Sequence, residues 1–164
     1  MRLLDANVFI EAKNRYYGFD LVPVFWTWLE DQAESGEIAS TEIIYDELKD
    51  GGDDLAAWVK DRREVIFYVP SSSQAVANAV GWLGTWVQSE NYKPHVLADF
   101  LDSADPFLVG VALETGSILV TQETPAGASR KKVKIPDACR HLGVEHENTF
   151  EMMRGLGARF SRPR

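Results

Sequence analysis

Cysteine, histidine and long apolar runs are scarce in this chain of 164 residues. Cys139 is the single cysteine, so no disulfide can form within the chain. The three histidines, His95, His141 and His146, do not have the spacing of a zinc site with it. No apolar run approaches the roughly 18 residues that a membrane span needs, and the first residues lack the features of a secretory signal. These absences predict a cytoplasmic protein that does not enter a membrane.

The composition is that of one ordinary domain with a real core. Hydrophobic residues make up 45% of the chain and charged residues 26%, which excludes a largely disordered chain. No internal repeat or low-complexity segment interrupts it. We therefore expect a single domain over residues 1–157, followed by a basic C-terminal tail over residues 158–164.

Positive charge is scarce in the chain except near its end. The formal net charge is −8, but residues 1–129 hold 8 Lys and Arg against 21 Asp and Glu, whereas residues 130–164 hold 9 against 4. Clustered cations bind phosphate backbones whatever the net charge of the protein. The sequence therefore predicts a tentative RNA-binding patch, formed by Arg130, Lys131, Lys132 and Lys134. A solvated loop and a frayed terminus would produce the same charge pattern.

Two short apolar stretches each run directly into acidic or polar residues. The chain opens with MRLLDANVFI, in which the stretch ends at Asp5, and the later stretch 117–121 (SILVT) is followed by Gln122 and Glu123. Helical patterns with short connections separate them, and such alternation favours a parallel sheet between helices. We expect a three-layer α/β/α sandwich with a central, mostly parallel sheet.

Local signals place several helix ends. Pro23 suits a first helical position, Thr41 and Asp53 suit caps, and Gly116 suits a helix end. Residues 65–69 alternate in the manner of a strand or an extended connector.

Tryptophans recur at helical spacing in two segments. Trp82 and Trp86 lie four residues apart within the helix predicted over residues 75–88, a spacing that predicts a buried stripe rather than a platform for stacking bases. Trp26 and Trp28, in the helix that Pro23 begins, are likewise expected in the core, with a groove for a partner protein as the alternative.

Four acids stand out by their positions: Asp5 and Glu123 after strands, Glu47 within a helix and Asp105 before Pro106 at a helix start. The carboxyl ends of parallel strands share one edge of a sheet, where such side chains can meet. Carboxylates about 4 Å apart repel by several kcal/mol at intermediate dielectric, so a cluster implies a cation. Oxygen-only ligands indicate Mg²⁺ or Mn²⁺.

Each acid also has a simpler interpretation. Asp105 could be only a helix cap, and Glu123 could be a turn residue. Glu47 could face solvent, with Asp46 or Asp102 taking its place beside the other acids. Asp5 is the hardest to explain in this way, because it directly follows a core strand.

The segments that contain these acids resemble, in order and spacing, the four acidic motifs of PIN-domain ribonucleases. They are 3–10 (LLDANVFI), 45–48 (YDEL), 104–112 (ADPFLVGVA) and 119–123 (LVTQE). The chain looks most like the toxins of type II toxin–antitoxin modules, although the segment 134–139 (KIPDAC) suggests a less characterised PIN-like subgroup.

The resemblance implies a PIN-like fold and metal-dependent endonucleolytic cleavage of RNA. By resemblance, Asp5, Glu47, Asp105 and Glu123 would be catalytic and would hold one or two Mg²⁺ or Mn²⁺ ions. Asn7 would support the first acid, and Thr121 the last. A cognate antitoxin and a homodimer are the implied partners. One departure is Glu123, where Asp is commoner, because the longer arm could shift the second metal position.

Three functions compete at this point. The leading hypothesis is a metal-dependent endoribonuclease acting as a toxin. The alternative is a non-catalytic PIN-like module that binds RNA or protein, which the net negative charge and Glu123 favour. A phosphatase of the haloacid dehalogenase type also begins with a strand ending in Asp, but it requires a second Asp where this chain has Asn7.

Overall fold

A four-stranded parallel sheet lies at the centre of the molecule. A computed structural model describes residues 1–161 of the chain. The strands run in the order β2-β1-β3-β4, and every pairing is parallel. They are β1 (Arg2–Leu4), β2 (Ile38–Ala39), β3 (Ile118–Val120) and β4 (His146–Glu147). Leu3 of β1 pairs with Ala39 on one side and with Leu119 on the other. The predicted α/β fold with a parallel sheet is confirmed.

The two central strands are apolar because both faces of the sheet are covered. Leu3, Leu4, Leu119 and Val120 are fully buried, as expected for the middle of a parallel sheet with helices packed around it. Hydrophobic periodicity in such strands is replaced by continuous apolar runs. That is why MRLLD and SILVT could be identified from sequence.

Helices occupy most of the remaining described chain. The first helix covers Ala6–Glu11, and a π-helical turn (Ala12–Tyr16) follows it directly. The helices are α1 (Ala6–Glu11), α2 (Pro23–Glu34), α3 (Glu42–Leu48), α4 (Asp54–Asp61), α5 (Arg63–Ile66), α6 (Gln74–Ser89), α7 (Pro94–Asp102), α8 (Asp105–Thr115), α9 (Ile135–Leu142) and α10 (Thr149–Gly155). None of those found between residues 1 and 161 is long and apolar enough to cross a membrane.

The predicted helix ends are confirmed where a local signal marked them. Pro23 begins α2. Thr41 accepts a hydrogen bond from the N–H of Ile44 at 3.4 Å, and Asp53 accepts one from the N–H of Ala56 at 3.0 Å. Gly116 ends α8 with a φ of +62°, a conformation that glycine adopts without steric cost.

The strand or extended connector expected over residues 65–69 is wrong for its first two residues, which are helical. Residues Arg63–Ile66 form the short helix α5, and only Val69 pairs with Thr41 in an isolated parallel bridge. Val65 is exposed whereas Ile66 and Phe67 are buried. The end of a short helix thus occupies residues 65–66, and residues 67–69 connect it to the bridge at Val69.

The prediction that Trp82 lies in the core is also wrong. Its side chain is 55% exposed. The buried face of α6 is formed by residues 76, 79, 83 and 87, and position 82 lies about 100° away from position 83 around the helix axis. Trp86 borders that face, is partly buried and stacks on His141 with ring centroids 5.0 Å apart.

Trp26 lies in the core as predicted. It is 3% exposed, and its ring stacks on Phe19 with centroids 4.1 Å apart. Trp28 is partly buried, and its ring centroid lies 6.2 Å from that of Phe160. Phe160 falls within the predicted tail over residues 158–164, of which residues 162–164 lie outside the described part of the chain.

Candidate functional site

Asp5 lies immediately after β1 at the carboxyl edge of the sheet. Its N–H donates to the carbonyl oxygen of Val120 at 3.0 Å, which extends the pairing with β3 by one residue. The residue is only 2% exposed. Its Oδ2 accepts a hydrogen bond from the hydroxyl of Thr121 at 2.9 Å and a long one from the amide of Asn7 at 3.5 Å. Both predicted supporting residues thus contact this carboxyl group.

The environment of Asp5 disfavours its ionised form. Burial raises the pKa of its carboxyl group most, followed by the charge of Asp105, and the hydrogen bond from Thr121 opposes them. Together with smaller contributions from Glu123 and Glu47, they raise the pKa of Asp5 from 3.8 to about 7. No Lys, Arg or His side chain within residues 1–161 forms an ion pair with it. When Asp5 is ionised, no cationic side chain among these residues therefore compensates its negative charge.

Asp105 is the first residue of α8, but it does not cap the helix. Ala104 occupies the cap position, and no side chain accepts a capping hydrogen bond there. Burial and then the charge of Glu123 raise the pKa of Asp105 to about 6, whereas Lys132 opposes them. The interpretation of Asp105 as only a helix cap is wrong, because its carboxyl group is turned toward other acids instead.

Glu47 acts on the same centre from α3. The residue is exposed at the surface, yet its surroundings desolvate the carboxyl group enough to raise its pKa, against an opposing effect of Lys132. Its charge contributes to the raised pKa of both Asp5 and Asp105. Neighbouring Asp46 instead forms an ion pair with Lys49. Of the residues considered for this position, Glu47 is the one whose charge raises the pKa of Asp5 and Asp105.

Glu123 follows β3 and is held by two donors. Its Oε1 lies 2.6 Å from the ammonium nitrogen of Lys132, and its Oε2 accepts a hydrogen bond from the N–H of Ile135 at 2.8 Å. The N–H of Glu123 itself donates to the hydroxyl oxygen of Thr121 at 3.1 Å. Because that hydroxyl also donates to Asp5, Thr121 links the first and the last of the four acids.

Lys132 introduces a positive charge among these carboxylates. Its ammonium nitrogen also lies 3.9 Å from Oδ2 of Asp105. Burial alone would lower the pKa of Lys132, but the hydrogen bond to Glu123 and the charges of Glu123, Asp105 and Asp5 raise it overall. We refer to Asp5, Glu47, Asp105 and Glu123, together with Lys132, as the acidic centre.

The acidic centre has the donor chemistry of a hard-cation site. All four donor groups are carboxylates, and the charges of Glu47 and Glu123 raise the pKa of both Asp5 and Asp105, an effect that a divalent cation would relieve. In the present side-chain positions, however, no three His, Cys, Asp or Glu residues of the described chain are arranged to hold a metal ion. The oxygen ligands are therefore of the type that Mg²⁺ or Mn²⁺ prefers. Two of them, on Asp105 and Glu123, contact the amine of Lys132 instead.

The four residues of the predicted basic patch have different surroundings. The guanidinium of Arg130 donates to the carbonyl oxygen of Glu90 at 2.8 Å and lies 5.1 Å from the ring centroid of Tyr92, so it anchors its loop to the end of α6. Lys131 is exposed. Lys132 turns into the acidic centre, and Lys134 lines a neighbouring cleft.

That cleft, of about 770 Å³, opens beside the acidic centre and is lined by Glu123 of that centre and by Asn7 and Thr121, which contact Asp5. Its far wall holds Tyr16 and Phe150, whose rings meet edge to face with centroids 5.3 Å apart. Sequence reasoning missed this cleft. Tyr16 in the π-helical turn does not by itself indicate a cleft. Its partner in the aromatic pair, Phe150, lies 134 positions further along the chain.

The all-parallel four-stranded sheet and the helices around it match a PIN-like fold. The chain belongs to the family described as "Domain of unknown function (DUF4411)", whose model matches residues 3–160. No curated protein matches the sequence.

Among solved structures, the chain is similar to a chain in the crystal structure of VapBC2 from Rickettsia felis bound to a DNA fragment from their promoter. The TM-score is 0.56 at 14% sequence identity, with 90% of this chain and 97% of that chain covered. At this identity the likeness concerns the fold alone.

Proposed function

We propose that this protein is a Mg²⁺- or Mn²⁺-dependent endoribonuclease that hydrolyses phosphodiester bonds of RNA. The observation that carries the proposal is the buried carboxyl group of Asp5 at the carboxyl edge of a parallel sheet, whose pKa is raised by burial and by the charges of three further acids. Ionisation of a buried carboxyl group is costly, and a bound divalent cation would compensate that cost.

Each residue has a role in this proposal. Asp5, Glu47, Asp105 and Glu123 would hold the ion, and Thr121 and Asn7 would fix the orientation of the Asp5 carboxylate through the contacts described above. A divalent ion, when bound to carboxylates, lowers the pKa of a water molecule and offsets negative charge on phosphate oxygens. The protein then needs no nucleophilic side chain of its own. Lys131 and Lys134 are the cations best placed to position an RNA backbone at the rim and in the cleft.

A comparison of matched acids tests the assignment. RNA cleavage in Mg²⁺ is measured for wild type, Asp105→Asn and Glu47→Gln, with Asp102→Asn and Asp46→Asn as controls from α7 and α3. Loss of a group that stabilises transition-state charge lowers the rate by at least about a hundredfold, so we expect this loss in the first two variants. The controls should stay within about twofold of wild type, because exposed carboxylates outside the site contribute little. Equal cleavage by all five proteins would show that the acids are not catalytic.

We further propose that the enzyme is the cytoplasmic toxin of a toxin–antitoxin module, with a cognate antitoxin and a homodimeric assembly. The support is the resemblance of the four acidic motifs and the fold shared with a VapBC2 chain. Expression of wild type should arrest growth, and expression of Asp5→Asn should not. Rescue by the product of an adjacent small reading frame would identify the antitoxin. Sedimentation of the purified chain measures the dimer.

A second function has one observation in its favour. Lys132 already satisfies Glu123 and approaches Asp105, as expected if the acidic centre were only an internal ion-pair network in a non-catalytic RNA- or protein-binding module. Calorimetric titration with Mn²⁺ together with an RNA-binding assay separates the two functions. Retained RNA binding without Mn²⁺ binding or cleavage would favour the module.

A further inference from the structure

We infer that Lys132 is a built-in competitor for the divalent cation: its ammonium group occupies the acidic centre in the metal-free protein and must leave before Glu123 and Asp105 hold an ion. The inference rests on the proposed function, because it concerns the same site. It assigns to Lys132 control of metal affinity, rather than the contact with RNA that the charge pattern of its loop predicted.

The first step of the argument is the direction from which Lys132 enters. The Glu123 side chain is 7% exposed and that of Asp105 is 17% exposed, whereas that of Lys132 is 56% exposed. The acids thus lie inside and the lysine stem lies outside, with its amine reaching 2.6 Å from Glu123. A long flexible side chain whose amine is held by a contact regains rotamer freedom when that contact is released. Withdrawal of the amine therefore does not require the fold to open.

The second step is that the surrounding loop is fixed without Lys132. Arg130 anchors one end through the carbonyl oxygen of Glu90. On the other side, Val133 is 1% exposed and the N–H of Ile135 donates to Glu123. Because these contacts are made by neighbouring residues, removal of the Lys132 amine should leave the loop and the Glu123 carboxylate in place.

The third step is the charge balance. One ammonium group compensates one of the four carboxylates, and it contacts Glu123 and Asp105 but not Asp5. A divalent ion at the same place competes directly for Glu123 and must displace a close charge-assisted contact. Loss of the amine leaves Glu123 without its cation and frees that ligand. The affinity for a divalent ion should rise accordingly.

The experiment measures Mn²⁺ affinity by titration calorimetry on the full chain, so the readout does not depend on cleavage. Lys132→Met removes the charge and keeps most of the stem. Lys131→Met is the matched control, because it makes the same change of net charge at the adjacent exposed position. We expect Lys132→Met to bind Mn²⁺ at least about tenfold more tightly than wild type and Lys131→Met to stay within about threefold. Lys132→Arg, which retains the charge, should bind no more tightly than wild type.

The outcomes are distinguishable. Equal Mn²⁺ affinities of wild type and Lys132→Met would overturn the inference and leave the proposed function standing. Equal gains in Lys132→Met and Lys131→Met would also overturn it, because net charge alone would then explain them. Absence of binding in every variant would overturn the proposed function together with the inference. Circular dichroism confirms folding, and Lys132→Gln replaces Lys132→Met if the latter is unfolded.

Discussion

Replacement of Asp5 by Asn should make the protein more stable as the pH rises, relative to wild type. The change removes a buried ionisable group and keeps an oxygen that accepts the hydrogen bond from Thr121. In the folded chain the pKa of Asp5 is raised to about 7 from an ordinary value of 3.8. The unfolded chain therefore releases this proton at lower pH than the folded chain, and the contribution of Asp5 to stability is lost as the pH rises from 3.8 to about 7.

The size of the effect follows from the two pKa values. The full difference corresponds to about 4 kcal/mol, of which about 2 kcal/mol falls between about pH 5.5 and about pH 8.5. The variant lacks this loss, so its free energy of unfolding should gain about 2 kcal/mol on wild type over that range. Any cost of burying the new amide group is the same at every pH. It shifts the two curves relative to one another without changing the slope of their difference.

The assay is urea unfolding in the presence of a chelator, followed by tryptophan fluorescence at several pH values. Asp102→Asn serves as the control, because an exposed carboxylate should give a difference that hardly changes with pH. The reasoning would be refuted if the free energy of unfolding of Asp5→Asn minus that of wild type stayed constant or fell as the pH rises. With Mg²⁺ at about a hundred times its dissociation constant, wild type should gain about 2.7 kcal/mol that the variant does not.

Three further variants or probes test the packing around the site. Gly110→Ala should lower the free energy of unfolding by about 1–3 kcal/mol. The reason is that a Cβ atom at this position would lie 3.2 Å from Cγ1 of Val76 and 3.3 Å from its carbonyl oxygen. Unchanged stability in urea would contradict the tight contact of α6 with α8. Ser40→Ala should cost about 1–2 kcal/mol in the same assay, since its buried hydroxyl donates to the carbonyl oxygen of Leu4 at 2.7 Å. Cys139 is buried, and burial is the main cause that raises the pKa of its thiol to about 12. Native protein at about pH 8 should therefore resist thiol–disulfide reagents. Rapid labelling without unfolding would show that the Cys139 thiol is accessible.

The main elements of the fold could be predicted because their signals are local. Two apolar runs that end at acids mark β1 and β3, and Pro23, Thr41 and Gly116 mark helix ends by backbone chemistry that needs no tertiary partner. The exposed position of Trp82 could not be predicted in this way. Its four-residue spacing from Trp86 is compatible with a buried stripe, but α6 buries the neighbouring row of residues instead.

The side-chain arrangement of the candidate site depends on contacts between distant parts of the chain. The four acids could be selected because each occupies a distinctive place relative to a strand or helix. The direction of Lys132 could not, because the path of its loop is fixed by the contact of Arg130 with Glu90, 40 positions away. A run of lysines and arginines predicts a surface patch on average, yet here one member anchors the loop and another enters the acidic centre.

Within residues 1–161 the acidic centre is incompletely neutralised, and this distinguishes the two proposed functions. Lys132 explains why Glu123 is tolerated at 7% side-chain exposure, but it forms no ion pair with Asp5. Asp5 is left with hydrogen bonds from Thr121 and Asn7 and with a carboxyl group whose ionisation burial opposes. A binding module needs no ionisable side chain at this position, and an uncharged one would avoid the loss of stability that Asp5 causes as the pH rises toward neutrality. A carboxyl group that lowers stability at the carboxyl edge of the sheet is therefore better explained by a cation that binds there.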